Sequence, residues 1–353
     1  MIMNIERLPE FDNHKLVSFF NDKKTGLRGF IAIHNTNLGP AAGATRYWNY
    51  LSEEDGLRDA LRLSKGMTYK AALAGLNYGG GKSVIIADGK IKKSSAFFKA
   101  YAEKINLLNG NFYTGEDVGM NRNDVGVMAK YTPFVIGKLK ESNQPPFWTA
   151  VGIFSAIEAA VESVFGAKNI KGKTFAVKGL GKVGMELCKI IHKNGGHIIG
   201  ADVNPKIIKL AKKHFPKIKL VKPSEIHKKK VNIYCPCALG GEFNKKTVSE
   251  LRCDIICGGA NNQLASMEAG KYIYKSGILY IPDYLANAGG LINVVAELDK
   301  GGYNRDKVEK KVKTIGAIAE IIIKKSLKNK IPTNEVADSM AESRFMKNEP
   351  VKI

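Results

Sequence analysis

Cysteine is scarce in this sequence, and the little there is follows no framework. Cys188, Cys235, Cys237, Cys253 and Cys257 make an odd set of five. One proline separates Cys235 from Cys237, and Cys253 and Cys257 stand four apart without a second pair. Neither a disulfide scaffold nor a zinc site is read from them, and they are expected as reduced, mostly buried thiols. A charged-then-apolar leader pattern is missing as well, since the stretch from Met1 to Glu10 carries Glu6, Glu10 and a proline. No apolar run is read as long enough to span a bilayer. These absences point to a cytoplasmic protein with no membrane partner.

Acidic side chains are the other shortage. Against 55 Lys and Arg there are 33 Asp and Glu, a formal charge of +22, which is the usual footprint of a nucleic-acid binder. Such a surface needs its charge gathered. Here basic residues spread along the chain, with one short run at Lys228-Lys229-Lys230 and no arginine-rich or aromatic-interleaved stripe. The excess is read as solvated surface, and no nucleic-acid partner is expected. With 353 residues, 44% of them hydrophobic, the chain is long enough for two domains with cores of their own.

The most chemically loaded stretch holds two lysines, Lys70 after Gly66-Met67-Thr68-Tyr69 and Lys82 after Gly79-Gly80-Gly81. One lysine can hold an anionic substrate group as a point charge. The other follows glycines, where backbone approaches a ligand closely and a desolvated ammonium is pushed toward neutrality. A neutral amine can move protons at a carbonyl or imine carbon. The pairing therefore suggests an enzyme acting on a carboxylate. Around it, Leu16 to Phe20 and Gly29 to Ile33 read as strands, and Leu57, Ala60, Leu61, Ser64 and Met67 recur at helical spacing behind Ser52 and Asp55. Val84 to Ala87 reads as a short buried strand, which puts Lys82 at its mouth. A loop with Asn143, Pro145 and Pro146 separates this half from a helical pattern over 149–164 and marks the domain boundary.

The second half opens on a dinucleotide-binding signature. Thr174 to Lys178 reads as a strand, Gly179-Leu180-Gly181-Lys182-Val183-Gly184 turns into a helix, and His197 to Ala201 is a second strand ending at Asp202. In that context the glycines let backbone approach a pyrophosphate, the helix N-terminus favours its charge, and the acid bonds the adenine ribose. A carboxylate there repels a 2′-phosphate, so NAD is the expected cofactor, with Lys206, Lys212 and Lys213 close by in sequence.

These residues resemble the glutamate/leucine/phenylalanine/valine dehydrogenases, and within them the branch acting on apolar amino acids. The resemblance covers nearly the whole chain and is carried by Gly39-Pro40-Ala41-Ala42-Gly43-Ala44-Thr45-Arg46, Gly66 to Lys70, Gly79 to Lys82, Gly115-Glu116-Asp117-Val118-Gly119, Pro236-Cys237-Ala238-Leu239-Gly240, Gly259 to Leu264, and Asn287 to Asn293. It implies reversible oxidative deamination of an L-amino acid to a 2-oxo acid and ammonia. Lys70 then matches the residue binding the substrate carboxylate, Lys82 the catalytic lysine and Asp117 its acid/base partner. Ala42, Gly43, Gly115, Leu291 and Val294 match the substrate pocket. Thr149, Gly179, Gly181, Lys182, Val183, Gly184, Asp202, Cys237, Ala238, Leu239, Ala260 and Asn262 match the cofactor site. The implied architecture is two α/β domains flanking a cleft. Residues 1–145, with a C-terminal return over about 325–353, form the catalytic domain, and 146–324 a doubly wound Rossmann domain. A homo-oligomer is expected from the N-terminal strands.

The resemblance also bears on substrate. Glutamate-acting members carry a lysine where this chain has Ala42, which cannot pair a second carboxylate. Leucine-type members typically carry leucine, alanine and valine where Ala42, Gly115 and Leu291 stand. By that comparison Ala42 and Gly115 remove volume from the pocket wall and Leu291 returns about one methylene, so this chain leans toward a large, aromatic side chain, with leucine, valine and isoleucine as the alternative. A non-catalytic NAD-binding regulator has no need of Lys70, Lys82 or Asp117, and the presence of all three weighs against it.

Overall fold

The computed structural model describes residues 4–89, 92–142 and 144–347. The chain divides into two compact units. The first holds the described residues up to 142, Val294–Asn304 and the stretch from Ala341, and the second holds 144–293 and 305–340. Asn143 of the expected linker and 348–353 of the expected return lie outside the described residues.

The first unit is built on a mixed sheet of β1 (Leu16–Asp22), β2 (Leu27–Asn35), β3 (Ala41–Ala42), β4 (Thr45–Trp48), β5 (Gly79–Ile86) and β6 (Phe112–Tyr113). β1, β2 and β5 run antiparallel in that spatial order, and β3 and β4 lie parallel to β5. β3 and β4 keep one register along β5, from Ala41 opposite Gly79 to Trp48 opposite Ile86, so they are one line of chain interrupted at Gly43-Ala44. Side-chain alternation along β5 sorts its two faces. Ile85 joins a core with Phe97, Tyr101 and Phe112, whereas Val84 and Ile86 pack with Leu57, Ala60 and Leu61 of the helix Glu53–Leu73. Ser52 caps that helix, its hydroxyl accepting from the Asp55 N–H at 3.1 Å.

The triple glycine corrects the expectation of a strand mouth. Gly79, Gly80 and Gly81 are paired residues inside β5, and Lys82 stands mid-strand opposite Ala32. The reason is close packing. A Cβ on Gly80 would lie 2.1 Å from the Thr68 amide nitrogen and 2.5 Å from the Ser64 carbonyl, so only glycine lets the helix rest on the strand there.

In the second unit β7 (Thr174–Lys178), β8 (His197–Ala201), β9 (Lys219–Leu220), β10 (Ile233–Pro236), β11 (Ile255–Ile256) and β12 (Leu279–Tyr280) form a wholly parallel sheet ordered β12-β11-β10-β7-β8-β9. This is the doubly wound order, with its switch point between β7 and β10. The fold class is the expected one.

Three expectations change in detail. The helix Pro145–Phe165 is long and apolar enough, by length and composition, to cross a membrane, where no such run was read. One face of it is core, with Ile153, Ala156, Ile157 and Ala160 fully buried while Val164 and Phe165 at its end are exposed, and a Cβ on Gly152 would meet Ile315 Cδ1 at 2.7 Å. Ile315 belongs to the long helix Arg305–Asn329. That packing keeps 305–340 in the second unit, so the return to the first begins at Ala341 rather than near residue 325. Arg344 anchors the return, donating to the Ala72 carbonyl at 2.7 Å and to Asn77 Oδ1 at 3.0 Å. Finally, 294–304 also belongs to the first unit, where the Glu297 carboxylate accepts the N–H groups of Gly137, Lys138 and Leu139 at 3.1 to 3.3 Å.

Candidate active site

Lys82 shares the helix-covered face of β5 with Gly80 and Val84, and its side chain is 6% exposed. Its Nζ lies 2.6 Å from Asp117 Oδ2. Asp117 follows β6 in a segment held against the sheet by the isolated bridge of Thr45 with Glu116. The same Oδ2 accepts Arg46 Nε at 3.1 Å. Arg46 comes from β4, where alternation sends Thr45 to the opposite face and Arg46 toward the helix. Arg46 Nη1 then donates to Asp59 Oδ2 at 2.7 Å. Asp59 is carried by Glu53–Leu73 and also accepts from Tyr50 Oη at 2.6 Å and Arg62 Nη2 at 2.8 Å. The result is a line of alternating charge, Lys82, Asp117, Arg46 and Asp59 withdrawn from water and Arg62 at its exposed end.

Burial sets the proton affinities along that line, and the partners modify it. Desolvation lowers the Lys82 pKa below the ordinary lysine value; Asp117 opposes the fall and Arg46 adds to it. For Asp117, desolvation acts upward, but Lys82 and Arg46 outweigh it and hold the carboxyl at about 2. Asp59 is lowered as well, with Arg46, Tyr50 and Arg62 overcoming its burial. A lysine driven toward neutrality beside a carboxylate held well below its ordinary range is suited to taking and returning a proton.

Lys70 sits in the last turn of Glu53–Leu73, half-buried, on the helix whose backbone touches Gly80. Lys82 and Asp117 thus meet directly, and Lys70 is carried by the helix that covers their face of the sheet. Ala42 is fully buried between Gly80 and Tyr113. A Cβ on Gly43 would sit 1.9 Å from the Gly81 carbonyl, so this glycine serves strand packing. Gly115 departs from its expected role as a space-maker. Its missing Cβ points 2.9 Å from the Ile136 carbonyl, and the room it leaves is already taken. Val294 lies in the first unit beside Gly137, and Leu291, 7% exposed, lies in the second.

The cofactor candidates gather at the carboxyl ends of parallel strands. Gly179 follows β7 with φ +91°, and a Cβ there would strike Cys237 and Ala238, which follow β10 across the switch point, at 2.8 Å. At Gly181 a Cβ would meet nothing within 4 Å, and at Gly184 it would lie 1.9 Å from the Gly179 carbonyl. Those are the three duties of a dinucleotide loop: a tight turn, open approach and close helix packing. Gly181 caps Lys182–Lys193 without a side-chain bond, so the first turn, Val183 included, offers backbone N–H groups to an anion. Asp202 follows β8; its Oδ2 accepts the Leu180 N–H at 2.8 Å and Oδ1 that of Asn204 at 2.8 Å, which fixes the carboxylate beside the loop. Leu239 is exposed.

Beyond β11, Asn262 adopts φ +52°, its N–H donating to Asp283 Oδ2 at 2.8 Å. Gln263 Nε2 pins the turn through the Gly258 and Ala260 carbonyls. Asn287 Nδ2 holds Gly259 O at 3.2 Å and Asn261 Oδ1 at 2.8 Å, while Asn287 Oδ1 is buried with no protein partner. Thr149 Oγ1 donates to the Pro145 carbonyl at 2.8 Å, and a Cβ on Gly290 would meet it at 2.7 Å. An open glycine loop, an uncapped helix start, an anchored acid and an unused buried acceptor fit a nicotinamide dinucleotide.

Arg46, Asp59, Tyr50, Asp283 and Asn287, which the fold brings beside these candidates, are not among the residues singled out from the sequence. Arg46 and Asn287 lay inside quoted motifs. Asp59 with Arg62 has the spacing of an ordinary helix-surface pair, and only the fold turns it inward.

The Glu/Leu/Phe/Val dehydrogenase dimerisation-domain model matches residues 14–134, and the Glutamate/Leucine/Phenylalanine/Valine dehydrogenase model matches 201–346. The glycine loop falls between the two spans. The sequence is 42% identical over 346 residues to leucine dehydrogenase of Geobacillus stearothermophilus, spanning 97% of this chain and 94% of that one. It is 38% identical over 352 residues to phenylalanine dehydrogenase of Caldalkalibacillus thermarum, spanning 98% and 95%. The crystal structure of L-tryptophan dehydrogenase from Nostoc punctiforme superposes with a TM-score of 0.80 at 41% identity, covering 95% of this chain and 96% of that one. The chain belongs to the Glu/Leu/Phe/Val dehydrogenases and is an NAD-dependent oxidoreductase acting on amino acids.

Proposed function

We propose that the protein catalyses reversible oxidative deamination of an apolar L-amino acid: amino acid, water and NAD give the 2-oxo acid, ammonium, NADH and a proton. The observation that carries this reading is the buried Lys82, driven toward neutrality and paired at 2.6 Å with Asp117. Bound NAD supplies the hydride acceptor. Lys70 holds the substrate carboxylate as a point charge. Lys82, as the free amine, takes a proton from the water adding to the α-carbon; once charged, it stabilises the oxygen of the adduct. Asp117, already ionised, exchanges protons with the departing nitrogen through its contact with Lys82. In the cofactor half, Gly179, Gly181, Lys182, Val183 and Gly184 hold the pyrophosphate, Asp202 the ribose with Cys237, Ala238 and Leu239 alongside, and Thr149, Ala260 and Asn262 the nicotinamide end. Removing the anchored acid in Asp202→Ala should raise the KM for NAD about tenfold, the loss of one charged hydrogen bond. Steady-state kinetics at saturating amino acid check this, and an unchanged KM counts against the assignment.

Glutamate is disfavoured, because the fully buried Ala42 gives its second carboxylate no partner, at a cost on the order of several kcal/mol. Among apolar side chains, Ala42 and Leu291 support a large or aromatic substrate. Gly115, whose space is filled by Ile136, and relatives named for leucine at 42% identity support leucine, valine and isoleucine equally. A methylene in an apolar pocket discriminates by only about 1–3 kcal/mol. Initial rates of NADH formation with Leu, Ile, Val, Phe and Trp decide it. An aromatic preference appears as higher kcat/KM for Phe or Trp, and clear superiority of Leu discards it. A homo-oligomer is supported by the edge strand β1, which carries an exposed Phe19.

A further inference from the structure

We propose that Arg46, held by Asp59, is a positioning residue that fixes Asp117 and sets the pH at which Lys82 becomes a free amine. The inference rests on the reading of Lys82 and Asp117 above and extends it to residues that do not touch substrate.

The geometry supplies the argument. One oxygen, Asp117 Oδ2, takes hydrogen bonds from two cations, Lys82 Nζ at 2.6 Å and Arg46 Nε at 3.1 Å. Both carboxylate and amine are largely withdrawn from water, with side chains 17% and 6% exposed. With Lys82 as the sole counterion, loss of its proton would strand a buried carboxylate, and buried uncompensated charge is costly. Lys82 would then keep its proton. Arg46 removes that obstacle, since a guanidinium does not deprotonate in proteins. The carboxylate stays compensated whichever state Lys82 is in, and the fixed positive charge makes the neutral amine easier to reach.

Asp59 sets how strongly Arg46 acts. Its Oδ2 accepts Arg46 Nη1 at 2.7 Å, and Tyr50 and Arg62 hold Asp59 in place. The ion pair orients the guanidinium so that Nε faces Asp117, and it also absorbs part of Arg46's charge. The two residues therefore push Lys82 in opposite directions, Arg46 toward the neutral amine and Asp59 toward the ammonium. The charges facing Lys82 come from three elements: Asp117 after β6, Arg46 on β4 and Asp59 on Glu53–Leu73. Its neighbour across β2 is Ala32, which does not titrate. Lys70, on that same helix, is common to every variant compared.

The test is the pH profile of kcat/KM for the best apolar amino acid in Arg46→Gln, Asp59→Asn and Arg46→Lys, with the unmodified protein and Lys82→Ala alongside. In Arg46→Gln the acid limb should move up by on the order of one pH unit, and in Asp59→Asn it should move down. Arg46→Lys keeps the charge but cannot span Asp117 and Asp59 with a rigid fork, so its limb should stay near that of the unmodified protein while kcat falls. A purely structural role would lower activity at every pH without moving the limb; that result, or shifts of one sign in both charge-removing variants, overturns the proposal. If thermal unfolding shows Arg46→Gln to be misfolded, a downward shift in Asp59→Asn alone sustains the proposal and an unmoved limb rejects it. Competitive labelling of Lys82 with acetic anhydride across pH, followed by peptide mass spectrometry, reads the same titration without turnover. Absence of NADH formation from any apolar amino acid would defeat the assigned reaction, and the labelling would still decide whether Arg46 and Asp59 shift Lys82 in opposite directions.

Discussion

Lys82→Ala is expected to lower kcat for NADH formation from apolar amino acids by about 10³-fold, the range general acid/base groups contribute, while NAD binding stays intact. The substitution removes the only lysine paired with Asp117 among the described residues. It leaves Arg46 Nε on the same carboxylate oxygen, so Asp117 is not abandoned as an unpaired buried charge and the unit should remain folded. The dinucleotide loop is built from the other unit, by Gly179 to Gly184 and Asp202, which is why a fluorescence titration with NADH should scarcely change. The loss should also fall on kcat more than on KM, since Lys70, the proposed carboxylate anchor, is untouched. A variant retaining rates within about tenfold of the unmodified protein would remove Lys82 from the proton path.

How far the sequence discloses this arrangement depends on the range of the interactions concerned. The nucleotide loop was legible because its determinants are local: strand, glycine turn, helix and acid follow within one stretch, from Thr174 to Asp202, and the structure keeps that order. Lys82 was legible as a candidate, but its setting was not. Three glycines in a row read as a close approach to ligand at a strand's mouth, whereas each is forced by a partner distant in sequence: Asn35 for Gly79, Thr68 for Gly80 and Phe112 for Gly81. Asp59 was invisible for the same reason. On a helix it looks like half of a surface pair with Arg62, and it becomes interior only because β4 delivers Arg46 beside it. The helix Pro145–Phe165 escaped notice as an apolar span because glycine, serine and glutamate interrupt its apolar residues, and its boundary fell on Pro145, a residue suited to a helix's first turn. Gly115 shows the converse hazard: a small residue at a pocket position suggested space, and the space belongs to a backbone carbonyl.

A large loss of stability is expected from Gly80→Ala. A single methyl group there would have to occupy a point 2.1 Å from the Thr68 nitrogen, 2.3 Å from its hydroxyl and 2.5 Å from the Ser64 carbonyl. Two of the three are backbone atoms of a helix that cannot rotate aside as a side chain would. Overpacking a core costs about 1–3 kcal/mol when side chains can adjust and occasionally more when they cannot, so a loss at or above the top of that range is expected, with an unfolding midpoint lower by roughly 10 °C. The alternative to unfolding is for the helix Glu53–Leu73 to lift from β5, and that carries a functional signature. The helix bears both Asp59 and Lys70, and β5 bears Lys82. Lifting it would lengthen the Arg46–Asp59 bond and displace Lys70, the proposed substrate anchor, from Lys82, the proposed catalytic lysine, raising the KM for the amino acid and lowering kcat together while the KM for NAD stays put. Gly184→Ala makes the matched control, with a comparable collision, 1.9 Å from the Gly179 carbonyl, in the other unit; its kinetic damage should fall on NAD instead. Thermal scans with steady-state kinetics on both variants separate these outcomes, and a Gly80→Ala protein with unchanged midpoint and unchanged constants would contradict the close packing of helix on strand that holds the site together.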